Sequence, residues 1–274
     1  MILVNGKARS EVSAADRGLA YGDGVFRTFP ARNGEPMHWR RHYAKLARDG
    51  AALGLRAPPA DVLAADVTSA CGGQQECAVK IILTRGAGAR GYRYAAGEEP
   101  TRVVSAEPLS PGSSERRSGG IAVRLCSLKL GHQPALAGLK HLNRLENVLA
   151  RAEWSDPGIA EGLMCDTEGN VICGTMTNIF VAAGGALATP RLDRCGVAGV
   201  TRERVMEAAG RAGYSCAVTT LTWSDVLGAE EVFLVNSLAG IWPVRDLDGQ
   251  SRTPGTITRE LQRALERDDD AQMA

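Results

Sequence analysis

An α/β fold in two domains is predicted for this chain on three grounds. Its 274 residues, 44% of them hydrophobic, are enough for two ordinary cores. The stretch PLSPGSSERRSGG at 108–120 has no apolar period and reads as a linker, leaving a smaller domain at 1–107 and a larger one at 121–274. Short β-branched runs alternate with helical periods, most regularly after the linker, as α/β layers require.

The first domain opens with Ile2, Leu3 and Val4 before Asn5-Gly6, a hairpin start, and a second hairpin joins 25–32 to 35–40 through Asn33-Gly34. Helices are expected at 38–53 and 59–70, then a buried strand at 78–84 (AVKIILT) with its partner at 101–107 (TRVVSAE). In the second domain strands are expected at 121–127, 161–166, 178–183, 185–189, 215–220 and 231–236. Helices should run from about Arg144, across 200–212 and near 257–267, with the tail RDDDAQMA frayed.

A formal charge of +1 gives no global pull toward nucleic acid or an anionic membrane, so any anion must be bound locally. The amino-terminal segment lacks the apolar core of a secretory signal, and no stretch approaches the roughly twenty apolar residues of a membrane span. Seven scattered cysteines without a C-x-x-C pair fit a cytosolic protein better than a disulfide framework or a zinc site. The four histidines (His38, His42, His132, His141) show no metal-ligand spacing, so no metal is expected.

Three motifs bear on chemistry. Gly86, Gly88 and Gly91 have G-x-G-x-x-G spacing after a strand, but YRYAAGEEPTR cannot open the helix that a dinucleotide site needs. An arginine-bearing loop, with Arg85, Arg90 and Arg93, is the expectation there; it can clamp a carboxylate or be merely solvated. GVAGVTRERVMEAAG at 196–210 runs glycines straight into a helical period, which makes either a phosphate cradle or a plain helix start. In GLKHLNRLENVLAR at 138–151, Asn143 and Glu146 have capping-box spacing, and Leu145, Val148, Leu149 and Ala152 form an apolar stripe. Lys140 then precedes the cap by three residues, as a solvated loop charge or as a nucleophile. Burial beside Arg144, His141 and a helix start would disfavour its ammonium form and suit it to imine chemistry.

DRGLAYGDGVFRT (16–28), the segment at 138–151, GTMTNIF (174–180) and RCGVAGVTRE (194–203) together resemble the fold-type IV pyridoxal-phosphate enzymes. That family includes branched-chain and D-amino-acid aminotransferases and 4-amino-4-deoxychorismate lyase. K-H-L-N-R-L-E, R-G-x-G-x-R-G-Y and NSLAGIWPV (236–244) look most like its lyase branch. The resemblance implies a small α/β domain followed by a larger, barrel-like one, a small-molecule substrate, and a homodimer. It implies that pyridoxal 5'-phosphate is the cofactor and Lys140 its Schiff-base lysine and general acid/base. Val200 and Thr201 would hold the phosphate, with Asn236 and Ser237 near it or the substrate. Arg90 and Tyr92 are candidates for the substrate carboxylates, and Phe26 and Thr28 for the pocket wall.

Two positions depart from the family pattern. Lys45 stands where a phosphate-binding arginine is usual, which keeps the charge and loses the bidentate fork. Cys173 stands where aminotransferases carry the glutamate that keeps the pyridine nitrogen protonated. A neutral thiol supports a pyridinium poorly. Elimination from 4-amino-4-deoxychorismate ends in an aromatic ring, 4-aminobenzoate, and depends less on a deep electron sink than transamination does. The lyase reaction of folate biosynthesis is therefore expected, with a D-amino-acid or branched-chain aminotransferase as the alternative.

Overall fold

The computed structural model describes residues 1–95, 97, 99–109 and 112–273. The chain divides into two compact units, Met1–Ser110 with Lys140–Asn143, and Pro111–Leu139 with Arg144–Ala274.

In the first unit the chain order is β1 (Ile2–Val4), β2 (Lys7–Ala8), α1 (Arg17–Tyr21), β3 (Gly24–Arg32), β4 (Glu35–Pro36), α2 (Trp39–Ala52), α3 (Ala60–Cys71), β5 (Glu76–Thr84) and β6 (Thr101–Pro108). Among the described residues the strands form a six-stranded antiparallel sheet ordered β2-β1-β6-β5-β3-β4. Both hairpin turns are Asn-Gly pairs with positive φ at each residue (Asn5 and Gly6, Asn33 and Gly34), the conformation that matches strand twist in a two-residue turn. Along β3 the side chains alternate: Val25, Arg27, Phe29 and Ala31 are buried, while Phe26, Thr28 and Pro30 lie on the other, partly open face. The buried face meets α2, where the His42 ring centroid is 4.7 Å from that of Phe29. Leu46, Leu63, Val67, Ile81 and Leu83 complete this core. Each such side chain contributes about 1.5–3 kcal/mol by leaving water.

The second unit contains α4 (Ser113–Gly119), β7 (Ile121–Leu130), α5 (Leu145–Arg151), β8 (Ile159–Asp166), β9 (Val171–Gly174), β10 (Asn178–Ala183), β11 (Ala186–Pro190), α6 (Val200–Arg211), β12 (Cys216–Thr219), α7 (Trp223–Gly228), β13 (Glu231–Asn236), β14 (Gly240–Leu247), β15 (Gln250–Ser251) and α8 (Thr256–Met273). Among the described residues these strands make one nine-stranded mixed sheet, β12-β11-β10-β13-β14-β7-β8-β9 with β15 beside β14. The β7–β8 and β7–β14 pairs are parallel. Cores lie on both faces, and α6 and α8 cover a cluster that includes the stacked Phe180 and Phe233 rings. Among the described residues no helix is long and apolar enough to cross a membrane.

Three local expectations need correction. The stretch at 108–120 is not irregular throughout, since Ser113–Gly119 form α4; Ser110 and Pro111 lie outside the described residues. The tail is not frayed through 267–273, because α8 runs to Met273. Its aspartates pair with α6, Arg204 with Asp269 at 2.5 Å and Arg211 with Asp268 at 2.6 Å, and these pairs give a polar sequence a reason to stay helical. The stripe Leu145, Val148, Leu149 and Ala152 of α5 faces outward; Leu145 is 74% exposed and Val148 and Leu149 are 59% exposed.

Candidate active site

The lysine segment is irregular chain joined to β3 by a single antiparallel bridge. Phe26 N–H donates to the Lys140 carbonyl at 2.9 Å and Leu142 N–H donates to the Gly24 carbonyl at 3.0 Å, around a bridge between Val25 and His141. Gly24 permits the approach, since a Cβ there would stand 2.5 Å from the Leu83 carbonyl and 2.7 Å from Leu142 Cδ1. The partly buried Lys140 places its Nζ 4.4 Å from the centroid of the Phe26 ring. The capping box is absent: Asn143 Nδ2 donates to the Gly22 carbonyl, Glu146 accepts from Gly131 N–H, and the N-cap of α5 is Arg144, with no side-chain cap bond. Lys140 is thus positioned by β3 rather than by the helix that follows it.

Phe26 and Thr28 share the open face of the first sheet. Lys80 lies directly across from Thr28, with its Nζ 5.3 Å from the Phe26 ring. Sequence reasoning passed over Lys80 as part of a strand; the period-2 alternation of AVKIILT was the available signal. Arg90 and Tyr92 are exposed, and the loop carrying them is tethered: Arg17 donates to the carbonyls of Gly91 at 2.8 Å and Tyr92 at 3.1 Å, and the Tyr21 hydroxyl accepts from Gly91 N–H at 3.0 Å. Arg85 is not a solvated loop arginine. It is buried and grips Asp23 through Nε (2.7 Å) and Nη2 (3.0 Å). Burial raises the Asp23 pKa, but hydrogen bonds and charge from Arg85 and Arg17 outweigh it and hold the carboxyl below its ordinary 3.8. Lys45 is buried on the face of α2 that also carries His42, Leu46 and Asp49.

In the second unit Gly138 runs beside the loop that leads into α6: Gly138 N–H donates to the Gly196 carbonyl and Ala198 N–H to the Gly138 carbonyl, both at 3.0 Å. Asn178, another residue the sequence did not single out, braces that loop. Its Nδ2 donates to the Val197 carbonyl at 2.8 Å and its Oδ1 accepts from Gly199 N–H at 3.1 Å. The helix begins at Val200 after Gly199, with no side-chain cap, so its first N–H groups remain available to an anion. Thr201 is buried and its hydroxyl is 3.4 Å from Ser237 Oγ. The neighbouring Asn236 is committed to its own turn, accepting from the N–H groups of Leu238 (3.0 Å) and Ala239 (2.7 Å).

Cys173 is buried with Cys126, Met164, Trp154 and Cys195. Burial pushes its thiol far up, the nearby Cys195 and Glu161 add to that, and the charge of Arg144 opposes it only in part. The thiol is neutral. The adjacent carboxylate cannot replace a glutamate here, because Glu161 is saturated. Its Oε1 accepts from the N–H groups of Gly162 (2.9 Å) and Thr175 (3.0 Å) and from the Thr175 hydroxyl; its Oε2 accepts from Met176 N–H and the Thr177 hydroxyl, both at 3.0 Å.

The sequence model of the class IV aminotransferases matches residues 24–247. The chain belongs to the class IV aminotransferase family. The aminodeoxychorismate lyase of Vibrio harveyi is 34% identical over 266 residues, covering 96% of this chain and 98% of the relative. A branched-chain-amino-acid aminotransferase named as putative in Methanocaldococcus jannaschii is 30% identical, covering 95% of this chain and 93% of the relative. The crystal structure of 4-amino-4-deoxychorismate lyase from Pseudomonas aeruginosa superposes with a TM-score of 0.93 at 42% identity, covering 98% of this chain and all of that one. As a member of the class IV aminotransferase family the protein is a pyridoxal-phosphate enzyme with the fold-type IV architecture. Its residues fit the cofactor: an uncapped 12-residue helix with a braced glycine loop suits a phosphate, and a strand-held primary amine suits an aldehyde.

Proposed function

We propose that this enzyme is a 4-amino-4-deoxychorismate lyase that releases pyruvate and leaves 4-aminobenzoate. The lyases at 34% and 42% identity over nearly the whole chain support the reading. The observation that carries it against transamination is the neutral, buried Cys173 beside a saturated Glu161.

When bound, pyridoxal phosphate supplies an aldehyde for the substrate amine and a ring that draws electron density from it. The Val200 and Thr201 N–H groups, with the Thr201 hydroxyl, would hold its phosphate, and Lys45 would add a positive charge. Lys140, as a free amine, would take the proton from substrate C4 as general base. The electron pair left at C4 closes the aromatic ring as the C–O bond on the neighbouring carbon breaks. Lys140, now an ammonium, returns a proton to the departing pyruvate enol. Phe26 and Thr28 line the pocket, Arg90 and Tyr92 receive the substrate carboxylates, and Asn236 orders the turn that presents Ser237.

A homodimer is part of this reading. Leu145, Val148 and Leu149 of α5, with the 53% exposed Met176, form an apolar surface that a second copy would cover. Sedimentation at micromolar concentration tests it, and a monomer would refute it. A cytosolic location is proposed on the seven free thiols.

Turnover of enzymatically made 4-amino-4-deoxychorismate should exceed transamination of D-alanine or a branched-chain amino acid with 2-oxoglutarate. Faster transamination would reverse the choice. The visible band of the purified enzyme should bleach with borohydride and be lost in Lys140→Ala.

A further inference from the structure

The backbone N–H of Lys140 donates to a side chain from α2, Asp49 Oδ2, at 3.0 Å. The same oxygen pairs with the guanidinium of Arg27, which projects from the buried face of β3. Asp49 Oδ1 accepts from Arg48 at 3.1 Å, and the Asp49 side chain is fully buried. Sealed from water by Arg27 and Arg48, this carboxylate has a fixed direction, and the N–H it points to is that of the lysine.

We propose that Asp49, itself oriented by Arg27, is a positioning residue that sets the backbone of Lys140 and so the direction in which its amine is presented. The proposal rests on Lys140 being the Schiff-base lysine. Phe26 N–H then holds the Lys140 carbonyl, Asp49 holds its N–H, and the Phe26 ring lies against its side chain. Without Asp49 the N–H loses this fixed acceptor, and the segment can shift. Displacing a reacting amine by about 1 Å can cost on the order of a hundredfold in rate.

The test uses the full-length holoenzyme. Asp49→Leu should lower kcat for 4-aminobenzoate release by at least roughly tenfold while KM changes by less than about threefold, the pattern of a misplaced amine and not of lost substrate binding. Growth of the visible band on mixing apoenzyme with pyridoxal phosphate should slow by a similar factor. Asp49→Asn, which keeps an oxygen acceptor for the Lys140 N–H, should restore most of both rates. Asp49→Leu also takes a carboxylate from the buried Arg27 guanidinium, so the double variant Arg27→Met with Asp49→Leu, which removes both charges, should regain melting temperature while both rates stay low. Recovery of the rates in that double variant, or wild-type rates in Asp49→Leu, overturns the proposal while a colourless Lys140→Ala leaves the lysine assignment standing. A Lys140→Ala protein that keeps its borohydride-sensitive band overturns the lysine assignment and this proposal with it.

Discussion

Lys140 Nζ stands 4.4 Å from the centre of the Phe26 ring, and the two residues are also joined through their backbones. A cation over an aromatic face is stabilised by about 0.5–2 kcal/mol, depending on how far water is excluded. Phe26→Leu keeps the apolar bulk and removes the ring face. Steady-state kinetics of that variant should show kcat/KM lower by roughly twofold to thirtyfold, the same energy read as a rate. An unchanged value would show that the ring is only a filler.

Asn178 makes both ends of the loop before α6 depend on one side chain. Asn178→Ala leaves the Val197 carbonyl and the Gly199 N–H without that partner, at a cost of about 1–3 kcal/mol. Cofactor affinity, followed by fluorescence titration of the apoenzyme, should weaken by about tenfold. Gly199→Ala should be worse, because its Cβ would lie 2.4 Å from Asn178 Oδ1.

Cys173→Glu tests the proposal that position 173 faces the ring nitrogen of the cofactor. With Arg144 close enough to influence the site, the new charge has a partner, although burial among Cys126, Met164 and Trp154 should lower the melting temperature. Side transamination, measured as pyruvate formed from D-alanine and 2-oxoglutarate, should rise. No rise would show that position 173 does not serve the ring nitrogen.

Buried thiols set the alkaline limit of stability. Burial above all pushes Cys71 and Cys126 up to about 12 and Cys195 up to about 11, from an ordinary 9.0; the hydrogen bond between Cys71 and Cys77 and the carboxylates near the other two add to it. A pKa raised by folding favours the native state fully below the unfolded value, and this stabilisation is lost as pH rises through the window. The unfolding free energy from urea titrations should therefore fall from pH 9 toward pH 11, by up to about 1.4 kcal/mol per thiol per pH unit.

At the acid end the sign reverses. Asp23 and Asp166 are held below the ordinary 3.8, Asp166 because hydrogen bonds from His132 and Asn170 outweigh its burial. Their contribution is complete above about pH 4 and disappears as pH falls through the lowered values. Asp23→Ala leaves Arg17 and Arg85 buried without their carboxylate, and should cost about 3–5 kcal/mol. Limited proteolysis should then cut within residues 88–93, which the wild-type tether protects.

The strands and helices were legible where period and turn chemistry agreed: the Asn-Gly hairpins, the buried run at 78–84 and the helix after Gly199. The setting of Lys140 was not. Its partners, Asp49 and Phe26, are distant in sequence and come from α2 and β3, and a capping-box spacing nearby pointed to the wrong anchor. The α5 stripe misled for a related reason, since apolar periodicity reports that a face is apolar and says nothing of whether this chain covers it. Arg85 and Arg90 lie five positions apart in one motif, yet one is buried in an ion pair and the other is exposed. Composition cannot separate them, because the deciding group, Asp23, sits in a different motif.

Helix α6 presents its free N–H groups at one end and carries Arg204 and Arg211 further along, where they pair with Asp269 and Asp268. The last turns of α8 thus brace the helix whose first turn is proposed to hold the cofactor phosphate. A purification tag fused directly after α8, or trimming of those aspartates, would be felt first as looser cofactor retention, long before the protein lost its fold.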